Sequence, residues 1–335
     1  MRYIDDELRD KTILITGGAG FIGSNLAFYF QANHSKARVI VVDKFRSGAT
    51  FSNGNLKSFG HFKNLLGFSG EVISGDINDP RVMESLEKNY KFDYIFHEAA
   101  ISDTTVAEQD LMIKTNVNAY KNLLLIALKH NAHMIYASSA ATYGDSDVFE
   151  VGNEQPNNVY GFSKVMMDNI SYEYIKKQDN IKIVGLRYFN VYGKGEFFKN
   201  KTASTVVQFG HQLLAGNQVK LFEGSDKILR DFIYIEDVVQ ANIKAMEAKK
   251  SGVYNVGTGK ARSFLDIADT VQKELGLSLD YEYIPNPFIG QYQFFTQANI
   301  DDTREFLGYE PRFSLEDGIK DYIFEIKRLF EAEVK

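Results

Sequence analysis

The chain has 335 residues with no cysteine, no tryptophan and only five prolines. Without thiols there is no disulfide framework, no thiolate nucleophile, no Cys-ligated zinc and no iron–sulfur cluster, and a cytoplasmic address becomes the default expectation. Long hydrophobic runs are missing as well: the longest, such as residues 123–128, fall far short of the roughly 20 residues that cross a bilayer, so no membrane insertion is expected. Residues 1–9 carry Asp5, Asp6 and Glu7 where a secretory signal would have a basic start and an apolar stretch, so they are expected to stay on the mature protein. An excess of positive charge is also lacking. The 38 Lys and Arg against 44 Asp and Glu leave a net charge of -6, and a general nucleic-acid binder would need a basic face to displace phosphate counterions. Low-complexity tracts, heptads and internal repeats are absent too. What remains is an ordinary globular composition, 44% apolar and 24% charged, long enough for one large or two unequal domains.

Short β-branched runs alternate with amphipathic stretches, the pattern of parallel strands with crossover helices. Strands are predicted at 12–16, 38–43, 71–74, 94–97, 134–138 and 181–186, and helices at 80–88, 116–130 and 160–177. The strands are nearly continuously apolar, which requires a sheet covered on both faces. The fold class expected is α/β: a doubly wound parallel (Rossmann) sheet with a smaller C-terminal substrate-binding α/β domain. After Arg187 the regularity weakens, with a Lys-rich loop at 194–201 and a helix near 204–215, while 251–259 reads as a strand and turn returning to the first sheet. The division expected is therefore residues 1–187, with 232–260 returning to them, as the dinucleotide-binding domain, and 188–231 with 261–335 as the substrate-binding domain.

Immediately after the first strand stands Gly17-Gly18-Ala19-Gly20-Phe21-Ile22-Gly23. Glycine at 17, 20 and 23 permits a tight turn, a backbone that touches a pyrophosphate, and close helix–strand packing, with the helix N-terminus aimed at the anion. Asp43 closes the second strand about 20 residues on, where a ribose hydroxyl acceptor belongs. A carboxylate there favours NAD. Lys44 and Arg46 just beyond it are able to attract a 2′-phosphate, so NADP stays open. Asp76 and Ile77 follow the third strand, either framing an adenine or, for Asp76, capping the next helix. His97-Glu98 has no second histidine at metal-ligand spacing, and no metal is expected.

The fifth strand ends in Ala137-Ser138-Ser139-Ala140-Ala141-Thr142-Tyr143-Gly144, and Tyr160-Gly161-Phe162-Ser163-Lys164 follows on a helix. Tyr160 and Lys164, four apart, share a face, so the ammonium approaches both the phenol and a cofactor ribose. An ammonium and a cationic nicotinamide both favour the phenolate, which then takes a proton from an alcohol. Ser139, at a strand's carboxyl end, is placed to hydrogen-bond the same oxygen.

With these residues the chain resembles the extended short-chain dehydrogenases/reductases, in their NAD-dependent epimerase group. That resemblance implies hydride exchange between a tightly held nicotinamide, NADP or NAD, and a nucleotide-activated sugar. It implies further cofactor contacts from Phe21, Ile22, Glu98, Ala99, Ala100, Ser102, Asn116 and Val191, and through Lys164. Sugar-nucleotide dehydratases of this group carry an acid pair after the active-site Ser or Thr. Here those places are Ala140 and Ala141, which disfavours elimination.

The strings at 97–100, 137–144, 187–193, 221–225 and 295–298 narrow the resemblance to epimerases that invert C6 of an ADP-activated heptose, an isomerase step in lipopolysaccharide core synthesis. The resemblance implies oxidation at C6, reorientation of the ketone, and return of the hydride to the other face. It makes Lys199 the second acid/base beside Tyr160, with Ser139 and Lys164 completing the catalytic set. It also implies that Asn190, Phe222, Glu223, Gly224, Ser225, Arg230 and Tyr292 line the ADP-heptose. Arg230 serves either as a diphosphate clamp or as a partner of Asp231 or Asp237. Lys201 and Gln208 depart from the family pattern, which has serine and histidine there. Residues 47–69 are longer than usual and are expected to be a mobile loop by the adenosine end. A homo-oligomer is expected. The rival readings are an epimerase or reductase for another nucleotide sugar, and a non-catalytic dinucleotide sensor, which would not need Ser139, Tyr160 and Lys164 together.

Overall fold

The computed structural model describes residues 1–286 and 294–334. Among them are the strands β1 (Thr12–Thr16), β2 (Arg38–Asp43), β3 (Glu71–Ser74), β4 (Tyr94–His97), β5 (His133–Ser139), β6 (Ile183–Tyr188), β7 (Asn190–Tyr192), β8 (Lys220–Phe222), β9 (Leu229–Tyr234), β10 (Gly252–Val256), β11 (Ala261–Ser263) and β12 (Glu282–Ile284). The helices are α1 (Phe21–Asn33), α2 (Pro80–Asn89), α3 (Gln109–Met112), α4 (Ala119–His130), α5 (Val159–Ile175), α6 (Thr205–Leu214), α7 (Ile235–Ala245), α8 (Phe264–Leu275), α9 (Asp301–Leu307) and α10 (Leu315–Leu329).

Seven strands form one sheet in the order β10-β6-β5-β4-β1-β2-β3, with every neighbouring pair parallel. The period-2 alternation of side chains explains why both faces are covered. Ile13 and Ile15 of β1 join one buried cluster with Leu26 and Phe30 of α1 and Val238 of α7. Leu14 between them joins the opposite cluster, with Met83 of α2, Leu123 of α4 and Met167 of α5. Each strand so patterned has to be sandwiched between helices. β1 lies between β2 and β4, so the winding reverses there, and the crevice above their carboxyl ends is where open α/β sheets take ligands.

The predicted elements recur within one or two residues, except that the helix expected from 116 opens with a π-turn at Ile113–Asn118 before α4. β10 returns to the sheet edge beside β6, as the 251–259 pattern anticipates. Beyond β6 the strands are short: β11-β9-β7 form one small sheet and β12-β8 another. The first buried cluster continues from β1 through α6 and α8 to Ile319, Tyr322 and Ile326 of α10. No helix of the described residues is long and apolar enough to cross a membrane.

A buried polar knot ties α5 to the sheet. Asp168 of α5 accepts from Arg187 Nε and Nη2 of β6 (3.1 and 2.8 Å), from Ser138 Oγ of β5 (3.1 Å), and from Tyr136 Oη (2.9 Å). Glu154 adds a second carboxylate 2.6 Å from Arg187 Nη2. Arg187 is 1% exposed, and a charge so far from water is tolerated only when it is paired with an opposite one. Replacing Arg187 with Met leaves two carboxylates without their cation. The expected loss is about 3–5 kcal/mol of unfolding free energy, read from the denaturant midpoint; a loss below about 1 kcal/mol would show that the knot does not anchor α5.

Candidate active site

A cavity of about 800 Å³ opens over the carboxyl ends of β1, β4 and β5. Its floor is the glycine turn. Gly17 has φ +69°, and a Cβ there would lie 2.7 Å from the backbone nitrogen of Ala99, so the turn can pass β4 only as glycine. α1 then starts at Phe21 with Gly20 as its N-cap and no acidic residue in the first turn. Its unsatisfied N–H groups and the positive end of its dipole stay available to an anion. The turn, the helix N-terminus and the cavity volume together fit a dinucleotide.

Asp43 lines the cavity but also builds the turn. Its Oδ2 accepts from Ala19 N–H (3.0 Å) and its Oδ1 from Phe45 N–H (2.7 Å). Burial raises its pKa, against the pull of those two N–H groups. The two cations beyond it have partners within the chain: Lys44 pairs with Asp76 at 3.2 Å, and Arg46 donates to the carbonyl of Phe198. Asp76 and Ile77 both line the cavity. The cap of α2 is Asp79, which accepts from Arg81 N–H, so the capping role considered for Asp76 falls to its neighbour three residues on.

Ser139 ends β5, and its Oγ accepts from Ala141 N–H at 3.1 Å. α5 is capped by Asn158, which accepts from Gly161 N–H. A Cβ on Gly161 would sit 2.4 Å from Ala141 O, so glycine lets the helix close on the turn that carries Ser139. This approach brings Ser139 and Tyr160 to one wall. Lys164 Nζ donates to Ala137 O at 2.6 Å and lies 5.8 Å from the centre of the Tyr160 ring. Burial pushes Lys164 down to about 8, with Glu98 and Asp168 pulling it back up. Burial raises the pKa of Tyr160 and Glu98 adds to this, while only Ser139 works the other way. In the protein by itself, desolvation outweighs any help from the neighbouring ammonium.

Glu98 is pushed up to about 7 by burial, against Tyr188 and Lys164. Its Oε1 accepts from Tyr188 Oη at 3.1 Å, and its Oε2, shut off from solvent, has no hydrogen-bond partner among the described residues. Ala99, Ala100, Ser102, Asn190 and Val191 line the same cavity, as do Phe21, Ile22, Gly20 and Gly23.

Lys199 enters from the far side, on the 3-10 segment Phe197–Thr202. It is half-buried, and burial lowers its pKa while Glu196 and Asp103 raise it. Glu196 itself is fully buried. Its carboxylate accepts from Gly193 N–H (3.0 Å), Ser204 N–H (2.6 Å) and Ser204 Oγ (2.7 Å), clasping the two ends of the lysine's segment together.

Other expected residues lie elsewhere. Asn116 does not line the cavity: its amide binds both backbone groups of Ile101 and donates to Ser163 Oγ, so it braces the wall from behind. Phe222, Glu223, Gly224 and Ser225, at the end of β8, and Arg230 on β9 are likewise outside its lining. The carboxylates weighed as partners for Arg230 are engaged: Asp231 by Thr258, Gly259 and Ala298, and Asp237 by the N–H groups of Arg312 and Phe313. Tyr292 lies outside the described residues. Lys201 lines the cavity, and Gln208 donates to Ala203 O at 2.6 Å.

Sequence reasoning missed Phe232 and Phe264 as lining residues, and within the 47–69 loop it did not single out Phe51 and residues 55–60, which also line the cavity. The 47–69 loop, expected to be mobile, is docked: Arg46 N–H donates to Gly60 O, His61 N–H donates to Ala19 O, and the His61 ring stacks on Phe198. Its polar composition gave no periodic signal, and only its unusual length marked it.

The model of the NAD dependent epimerase/dehydratase family matches residues 13–257. A curated relative from Brachyspira hyodysenteriae, an ADP-L-glycero-D-manno-heptose-6-epimerase, is 39% identical over 318 residues, 92% of this chain and 96% of its own. The crystal structure of the Helicobacter pylori ADP-L-glycero-D-manno-heptose-6-epimerase is similar at 54% identity and TM-score 0.89, covering 98% of this chain and 99% of that one. The UDP-glucose 4-epimerase of Thermotoga maritima, solved with UDP-glucose, follows at 29% identity and TM-score 0.81, covering 95% and 99%. By its glycine turn, its Ser139, Tyr160 and Lys164 wall and these matches, the chain belongs to the NAD dependent epimerase/dehydratase family.

Proposed function

We propose that this chain is an ADP-L-glycero-D-manno-heptose 6-epimerase, interconverting the D-glycero and L-glycero forms of ADP-manno-heptose in the cytoplasm for lipopolysaccharide core synthesis. The observation that carries the reading is that two groups able to move a proton, Tyr160 and Lys199, line one cavity with the dinucleotide cradle. The two heptose epimerases similar over nearly the whole chain support the substrate. The division into a dinucleotide-binding part and a substrate-binding part follows the same reading, and a homo-oligomer is its expected assembly.

A dinucleotide whose pyrophosphate Gly17, Gly20 and Gly23 would hold would supply hydride exchange at C6. Inversion needs the oxygen at C6 to give up its proton to one group and regain one from another after the ketone has turned. Tyr160 serves one face, with Ser139 holding the oxygen. Lys164 spans phenol and cofactor ribose. Lys199 serves the other face, and burial lowers its pKa, which eases the release of its proton. The two exchange roles when the reaction runs backward. Ala140 and Ala141 offer no acid for elimination, so a ketone formed here is reduced again.

Proton NMR of the purified protein with ADP-D-glycero-D-manno-heptose should show inversion at C6 without added cofactor; no change, even after NAD and NADP are added in turn, rejects the substrate and leaves another nucleotide sugar as the alternative. Tyr160→Phe should lower turnover about a hundredfold or more while retaining cofactor. Lys199→Met should lose inversion to a similar degree, and undiminished turnover in either variant overturns the role given to that residue.

A further inference from the structure

The docked stretch that covers the cavity forms an arm. Thr50 and Leu56 make an antiparallel bridge, and Phe51 N–H donates to Asn55 O at 2.8 Å. Phe51 is 5% exposed and packs in one apolar cluster with Ile101, Val106, Met112 and Tyr160. The polar side of the arm reaches Asp103. Asn53 Nδ2 and Asn55 Nδ2 both donate to its Oδ2, at 3.0 and 2.8 Å, while Thr105 donates its N–H and its hydroxyl to Oδ1, at 2.8 and 2.7 Å. Four donors on a buried carboxylate make a fixed anion. Asp103 lines the same cavity as Lys199, and its charge is one of the two that raise the lysine's pKa against burial.

We propose that Asp103 is a positioning residue for Lys199, held as a fixed anion by the arm of residues 50–56, so that one surface arm serves both proton-transfer groups. Phe51 packs on Tyr160, while Asn53 and Asn55 act on Lys199 through Asp103. The proposal rests on the reading of Lys199 as the second acid/base.

Two carboxylates oppose the desolvation of Lys199, and they differ in kind. Glu196 belongs to the lysine's own segment, and burial raises its pKa. Asp103 comes from the β4–α3 connection, and although burial works to raise its pKa, the Asn55, Thr105 and Asn53 hydrogen bonds prevail and lower it. It therefore keeps its charge over the wider pH range. The remaining charged groups lining the cavity are Lys44, Lys57, Lys164, Lys201, Asp43, Asp76 and Glu98, with Glu196 at the start of the lysine's own segment and Arg46 and His61 packed on the adjacent Phe198. Asp43 is tied to the glycine turn and Asp76 to Lys44, so losing Asp103 removes one of the two carboxylates that oppose the desolvation of Lys199, and the proton on Lys199 is then held less tightly.

The test is the pH–rate profile of C6 inversion for the unaltered protein, for Asp103→Asn, and for the double variant Asn53→Ala with Asn55→Ala, each with cofactor retention measured alongside. In Asp103→Asn one limb should move to lower pH by about half a unit or more, while the other limb and cofactor retention stay in place. The double variant, which keeps the aspartate and loosens its hold, should move the same limb in the same direction by a smaller step. It also carries the test if Asp103→Asn fails to fold. Unmoved limbs in a folded variant, with or without a uniform loss of turnover, overturn the proposal. Lys199→Met separates the two levels: full turnover there removes the reading beneath, whereas its loss together with unmoved limbs in the Asp103 and asparagine variants overturns the positioning role alone.

Discussion

The helix that carries Tyr160 and Lys164 is held by a charge pair that water does not reach. Asp168 stands one turn beyond Lys164, and its carboxylate gathers Arg187, Ser138 and Tyr136 from the two strands beneath. An ion pair at this depth is weak evidence for stability, since a well-packed apolar replacement often does as well. Its effect here is geometric. A guanidinium and a carboxylate joined by two hydrogen bonds admit little sliding, so α5 has a fixed rotation and a fixed height over β5 and β6. Ser139, at the end of β5, and Tyr160, in the first turn of α5, are then set against each other by the same knot.

The low dielectric that makes this knot rigid also sets the chemistry above it. Burial drives lysines toward neutrality and carboxylates and phenols toward protonation, and all three occur here: Lys164 comes down to about 8, Glu98 rises to about 7, and Tyr160 rises. Groups drawn toward neutrality from opposite sides are suited to passing protons. The protein alone does not prepare the phenolate. Ser139 alone works toward it, and under the proposed function the positive charge of an oxidised nicotinamide would add to that effect.

The main sheet and the wall of Ser139, Tyr160 and Lys164 were legible in the sequence because their signals are local. β1 is five consecutive residues whose neighbours alternate between two clusters, the glycine turn follows at once, and Tyr160 and Lys164 are four apart on one helix. What was not legible depends on partners far along the chain. Asp103 meets Asn53 and Asn55 across about 50 residues, Arg46 reaches Phe198 across 152, and Glu196 is an unremarked acid in a Lys-rich loop until Gly193 and Ser204 close round it. Polar residues in irregular segments carry no period, so composition describes them as surface while the fold uses them as ties. Asn116, expected at the cofactor, is a further case, because only the structure shows its amide committed to Ile101 and Ser163 behind the cavity wall.

The two sides of the cavity differ in build, and under the proposed function an inversion has a use for that difference. Tyr160 and Lys164 ride a seventeen-residue helix tied to the sheet. Lys199 rides a short 3-10 segment that includes Asn200 at φ 55°, ψ −125°, outside the helical region. A reaction that presents first one face and then the other of a single carbon needs room for the sugar to turn, and a second wall as stiff as the first would hold it in one pose. A loose lysine, however, would lose its alignment and, in water, its lowered pKa. The chain meets both demands by leaving the backbone of 197–202 irregular and securing its ends through the buried Glu196 carboxylate. The lysine's reach is bounded while the space before it stays open.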